Sequence, residues 1–154
     1  MKKLREVLTL LSDQQKLHLL QQNYSGWRLL HWAAHRDHTE IISTLLTSLQ
    51  SSADRLKLLM VSKYTPLHAA AFWGHTESVK MILDCLTADQ QIQIMSVQSS
   101  SGMTAIQWAE RSIGRTDTVR VLREYQQRAD NLMRGYRILQ AGQLNYFFQK
   151  FSVY

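Results

Sequence analysis

The chain has 154 residues, 45% hydrophobic and 19% charged, which is enough apolar material for one buried core. Its formal net charge of +6 is uneven: residues 1–110 hold ten Lys and Arg against nine Asp and Glu (+1), and residues 111–154 hold eight against three (+5). A single cysteine, Cys85, excludes an internal disulfide framework, and no apolar run reaches the length of a membrane-spanning helix.

The first predicted element is a helix over residues 2–12, inside an N-terminal cap that reaches residue 25. Basic residues open the chain, but Glu6 and the short apolar stretch ending at Leu11 do not make a signal peptide. Together with the lone thiol, this points to a reducing, intracellular setting, cytoplasmic or nuclear. One block then recurs three times: Arg28-Leu29-Leu30-His31-Trp32-Ala33-Ala34, Thr65-Pro66-Leu67-His68-Ala69-Ala70-Ala71 and Thr104-Ala105-Ile106-Gln107-Trp108-Ala109-Glu110. The starts at 28, 65 and 104 are 37 and 39 residues apart, spacings at which each repeat is one supersecondary unit stacked on its neighbours.

Within each copy the residues predict a helix, a tight turn and a second helix. Thr65 suits a helix cap and Pro66 the first turn, where the missing N–H costs nothing. Gly74 suits a left-handed helix end. Thr39-Glu40, Thr76-Glu77 and Thr116-Asp117 are expected to cap the second helices, each with a carboxylate at the positive end of the helix. Those helices carry apolar residues at helical spacing: Ile42, Leu45, Leu46 and Leu49, then Val79, Ile82, Leu83 and Leu86. The third copy keeps Val119 and Leu122 but meets Arg123 and Gln126. Ahead of the blocks, the stretches with Leu17, Leu19 and Leu20, with Leu56, Leu58 and Leu59, and with Ile92, Ile94 and Met95 predict an extra helical turn and an extended finger.

The middle copy, with Thr65-Pro66-Leu67-His68-Ala69-Ala70-Ala71 and Gly74-His75-Thr76-Glu77, closely resembles the ankyrin repeat, whose signature includes T-P-L-H-x-A. The outer copies are less regular. Arg28, Leu29 and Asp37 replace Thr, Pro and Gly in the first, while Ala105 and Gln107 replace Pro and His in the third. The resemblance implies an all-α solenoid of about three repeats, near residues 26–62, 63–101 and 102–125, with residues 2–12 as the second helix of a repeat lacking its first.

A non-enzymatic, monomeric protein-binding module is the function the resemblance implies, with no cofactor. The residue before the Thr place and the two after the second Ala line the concave groove in ankyrin-like folds. Here these are Trp27, His35 and Arg36, then Tyr64, Phe72 and Trp73, then Met103, Arg111 and Ser112. Trp, Tyr, Phe, Met and Arg are the types enriched at protein interfaces. Trp32 and Trp108 are divided between groove and core.

His31, His35 and His38 share a helical spacing that suits a zinc site, but the resemblance assigns His31 to a turn-holding role and His38 to the start of the next helix. H-E-x-x-H, G-x-G-x-x-G, the P-loop and G-x-S-x-G are all missing. The arginines Arg111, Arg115, Arg120, Arg123, Arg128, Arg134 and Arg137 leave a second reading open, electrostatic binding of nucleic acid or an anionic membrane. Residues 126–154 predict a separate unit. Gly135 and Gly142 are expected breaks in it, and part of it, Leu132–Leu139, should fold back as a helix on the last repeat, leaving an aromatic-rich remainder of open role.

Overall fold

The computed structural model describes residues 2–22, 27–112 and 114–151, the last eight as backbone alone. Residues 23–26 of the expected cap and 152–154 of the tail lie outside the described residues. The described chain forms α1 (Lys2–Thr9), α2 (Asp13–Leu20), α3 (Leu29–His35), α4 (Thr39–Thr47), α5 (Ser52–Leu59), α6 (Pro66–Trp73), α7 (Thr76–Asp84), α8 (Ala88–Ser96), α9 (Ala105–Arg111) and α10 (Thr116–Phe151). The fold is an all-α solenoid. The first helices α3, α6 and α9 stack side by side, the second helices α4, α7 and α10 stack behind them, and α2, α5 and α8 form a third row.

The middle repeat shows why the local sequence folds this way. Thr65 accepts the His68 amide through its hydroxyl, the Thr65 amide donates to His68 Nδ1 at 3.1 Å, and Pro66 opens α6. Gly74 ends the helix at φ 75°, and the His75 amide reaches back to the Ala70 carbonyl at 2.9 Å. Asp37 occupies the same left-handed place in the first repeat at φ 54°, where a short polar side chain is tolerated. Its carboxylate accepts the Ser78 hydroxyl at 2.6 Å.

The threonines do not cap the second helices as expected. His38 and His75 hold the cap positions, with φ/ψ of −80°/69° and −81°/78°. Each is the centre of an inverse γ-turn closed by Thr39 N to Asp37 O and Thr76 N to Gly74 O, at 2.9 and 3.0 Å. That turn starts the helix at the threonine and leaves no room for a separate cap.

The apolar residues at helical spacing meet in the core. Ile42, Leu45, Leu46, Leu49, Val79, Ile82 and Leu83 are fully buried, as are Ala69, Ala70 and Ala71, where α6 passes between α3 and α9. In the third repeat the buried stripe moves to Thr118, Val121, Leu122, Tyr125 and Ala129, while Arg123 and Gln126 face solvent.

Three ladders of hydrogen bonds tie neighbouring repeats together. His31 Nε2 donates to the Tyr64 carbonyl at 2.7 Å, and His68 Nε2 donates to the Met103 carbonyl at 3.2 Å. In the opposite direction His75 Nε2 donates to the His35 carbonyl at 2.9 Å, and Arg115 Nε to the Phe72 carbonyl at 3.2 Å. The Arg115 side chain lies where a Cβ on Gly74 would be, a second reason for glycine there. The third ladder springs from the fourth residue of each third-row helix. Arg55 donates to the carbonyls of Leu46 and Leu49, and Gln91 to those of Leu83 and Leu86, the equivalent positions one repeat on. Lys16 and Arg55 also reach forward to the Ser48 and Cys85 carbonyls. The third-row helices therefore close the carbonyl ends of the second helices.

The C-terminal part departs from expectation. α10 is one helix of 36 residues that begins inside the third repeat and runs through residue 125. Gly135 and Gly142 lie within it and do not break it, and the stretch Leu132–Leu139 projects from the repeats with Leu132 and Leu139 exposed. Neither glycine adopts the left-handed conformation that ends α6 at Gly74 and that folding back requires. The first turns of α10 cover the last repeat instead, against α7, α8 and α9. Tyr125 is held there by its hydroxyl bond to Asp84, and burial followed by that carboxylate pushes its phenol up to about 12.

Candidate functional site

Six aromatic side chains, set in or just before the first helices of the three repeats, close into a ring. Trp27 and Tyr64 precede α3 and α6, His35 ends α3, Phe72 and Trp73 end α6, and Trp108 lies in α9. Around the ring the centroid separations are 5.3 Å for Trp27–His35, 4.8 Å for His35–Trp73, 5.3 Å for Trp73–Phe72, 5.3 Å for Phe72–Trp108, 6.0 Å for Trp108–Tyr64 and 6.2 Å for Tyr64–Trp27. Five of these contacts are edge-to-face, the arrangement the aromatic quadrupole favours. Trp32 joins from outside, 5.1 Å from Trp27. All three repeats contribute, so the surface exists only when they are stacked.

Of the nine residues the sequence singled out, the structure brings Trp27, His35, Tyr64, Phe72 and Trp73 into this ring. Met103, Arg111 and Ser112 lie at its Trp108 end: Arg111 Nη1 is 3.8 Å from Met103 Sδ, and Ser112 donates to the Trp108 carbonyl. Arg36 is exposed at the C-terminal end of α3. Trp108 is the member the sequence left undecided. It and Trp32 occupy equivalent places in the third and first repeats, with the fully buried Ala69 between them in the second. A large–small–large alternation at one repeat position was the available signal.

The ring has a held floor and an exposed rim. Trp73 and Trp32 are 40% and 41% exposed, whereas Trp27, Tyr64, Phe72 and Trp108 are half-buried. The Trp108 indole donates to Ser99 Oγ at 3.0 Å, and the Tyr64 carbonyl is bound by His31 and Ser62. Burial, then Arg36 and His75, push the His35 imidazole below its ordinary value and favour the neutral form. The three histidines stand apart in role: His31 on the Tyr64 carbonyl, His35 in the ring, His38 in its turn. Among the described residues no group of three His, Cys, Asp or Glu is placed to hold a metal ion. Cys85 is half-buried, and burial pushes its thiol up, away from the reactive thiolate.

Stacked helix-turn-helix units joined by a continuous row of side chains define a helical-repeat solenoid. A family model of ankyrin repeats matches residues 2–94 in three copies, 93 of the 154 residues, and the chain belongs to the ankyrin-repeat family. The match takes in α1 and α2, which the repeated blocks at 28–110 did not, and it stops before Thr104, where the third block has lost its Pro and His. Protein phosphatase 1 regulatory subunit 12A of Mus musculus and that of Rattus norvegicus are each 33% identical to this chain over 89 residues. That segment is 58% of this chain and 8% of each relative. Ankyrin repeats are protein-interaction modules, and among the described residues no helix is long and apolar enough to cross a membrane.

Proposed function

We propose that the chain binds another protein, without catalysing a reaction on it, through the aromatic ring of the stacked repeats. The observation that carries this is the closed ring itself, with two tryptophans standing out of a floor already held by the fold. Such an arrangement offers large apolar area at low conformational cost, the property of interface hot spots. The exposed guanidiniums of Arg36 and Arg111 flank it at either end. The partner segment it suits presents an aromatic or branched apolar side chain to the ring and carboxylates to the arginines. The matched relatives are named as regulatory subunits of a phosphatase, which accords with a non-catalytic role for a shared repeat segment.

The electrostatic reading rests on α10. Two of its arginines are already engaged, Arg120 with Asp117 and Glu124 and Arg123 with Glu110, which lowers the charge available to a polyanion. Arg134 and Arg137 remain exposed. A test that separates the readings selects peptides on the intact protein from a random display library and measures the affinity of the winners. Trp32→Ala with Trp73→Ala should weaken the selected peptides by about thirty-fold or more with circular dichroism unchanged. Raising salt from 50 to 500 mM should change that affinity by less than about tenfold, where phosphate contacts would cost several orders of magnitude. Full affinity in the folded double variant, or tight salt-sensitive binding of duplex DNA or anionic vesicles, overturns the groove reading.

A further inference from the structure

α10 carries a heptad seam that starts inside the repeat domain and continues beyond it. Thr118, Leu122, Tyr125, Ala129, Leu132, Tyr136 and Leu139 follow one another at steps of 4, 3, 4, 3, 4 and 3, the spacing of coiled-coil a and d positions. The first four are buried against the chain's own repeats, at 1%, 0%, 9% and 0% exposure. The next three, on the same line of the same helix, are 58%, 57% and 69% exposed. An interface is therefore half satisfied, and the half left open belongs to a helix that projects without other support. Two glycines in that stretch each cost about 1 kcal/mol of intrinsic helix stability.

We propose that the open half of the seam is covered by the same segment of a second copy, so that the chain self-associates through α10 in place of the monomer the family resemblance implies. Three observations choose this occupant. The residues flanking the seam, Met133, Gly135, Gln140 and Gly142, carry no charge, so nothing repels an identical helix and no charge pattern selects a different one. Arg134 and Arg137 lie on the far side of the helix from the seam, where two copies keep them apart. Gly135 and Gly142 line one flank with no bulk, which lets a neighbouring helix approach closely but gives a bilayer nothing to bury. The far side of the stretch carries Arg134 and Arg137 and the flanks carry Gln140 and two glycines, whereas a membrane-surface helix needs a broad apolar face.

Sedimentation equilibrium of the whole chain from about 5 to 500 µM tests this, the range expected of a seam only about two heptads long. The expected result is a reversible monomer–dimer equilibrium. Leu132→Asp with Leu139→Asp should abolish it without lowering the melting temperature of the repeats, because both side chains are exposed. Ile138→Asp, 66% exposed but off the seam, should leave it unchanged. A monomer throughout the range overturns the proposal, as does equal loss in the Ile138 variant or helix-dependent binding to anionic vesicles by a chain that stays monomeric.

Discussion

His68 and Met103 are joined across a repeat boundary: the imidazole Nε2 donates to the methionine carbonyl while Nδ1 accepts the Thr65 amide. One fully buried side chain thus caps its own helix and holds the finger of the next repeat. The third block has Gln107 at this place, and among the described residues no further finger follows. Gln107 only closes its own capping box, with Thr104 N donating to Oε1 at 2.8 Å. His68→Ala should therefore cost about 2 to 4 kcal/mol, from lost bonds, an orphaned carbonyl and a cavity. Gln107→Ala should cost under about 1 kcal/mol. Urea unfolding of the two variants checks the contrast, and equal losses would remove the boundary role from His68.

Stability should fall on mild acidification. Burial lowers the pKa of both His31 and His68 from the ordinary 6.5, so the folded chain binds fewer protons there than the unfolded chain. Well above pH 6.5 the residues are neutral in both states and their contribution is complete. As pH drops through 6.5 the unfolded chain protonates first, and stability declines until the lowered folded values are reached, by up to about 1.4 kcal/mol per pH unit per histidine. Melting temperatures between pH 8 and 5 should fall in the wild type. His31→Gln with His68→Gln should flatten that profile.

Arg55 should be the costliest residue of the third-row helices to lose. Its guanidinium serves Leu46, Leu49 and Gln50 of one repeat and Cys85 of the next. Arg55→Ala strands carbonyls in both and should cost about 2 kcal/mol or more. Arg55→Lys should recover only part, because a point charge cannot reproduce the planar fork. Guanidinium titrations of the two variants decide it.

Ala70 is fully buried where α6 passes between its neighbours. Ala70→Leu should destabilise the stack by about 1 to 3 kcal/mol in a single cooperative transition, since the backbone must shift to admit the added volume. An unchanged melting midpoint would show that the helices are not closely packed there.

The repeat and its surface were unequally legible. The block at 28, 65 and 104, the Thr-Pro start of α6, the glycine stop and the leucine spacing of α4 and α7 are local signals, and each produced the element it implied. The kinship of Trp27 and Tyr64 was legible too, because a periodic scaffold assigns them the same place in successive repeats. That these side chains close a ring with Trp108 was decided by stacking, since contacts between residues 27, 64, 73 and 108 depend on the offset between repeats and not on any local pattern. The same holds for the ladders from Arg55 and Gln91, whose acceptors lie in separate helices. It holds also for α10, where two glycines read as stops. A glycine permits a left-handed helix end without imposing one, so the sequence alone leaves the outcome open. Gly74 ends α6 where the Arg115 side chain packs against it, whereas Gly135 and Gly142, with nothing among the described residues packed against them, stay within α10.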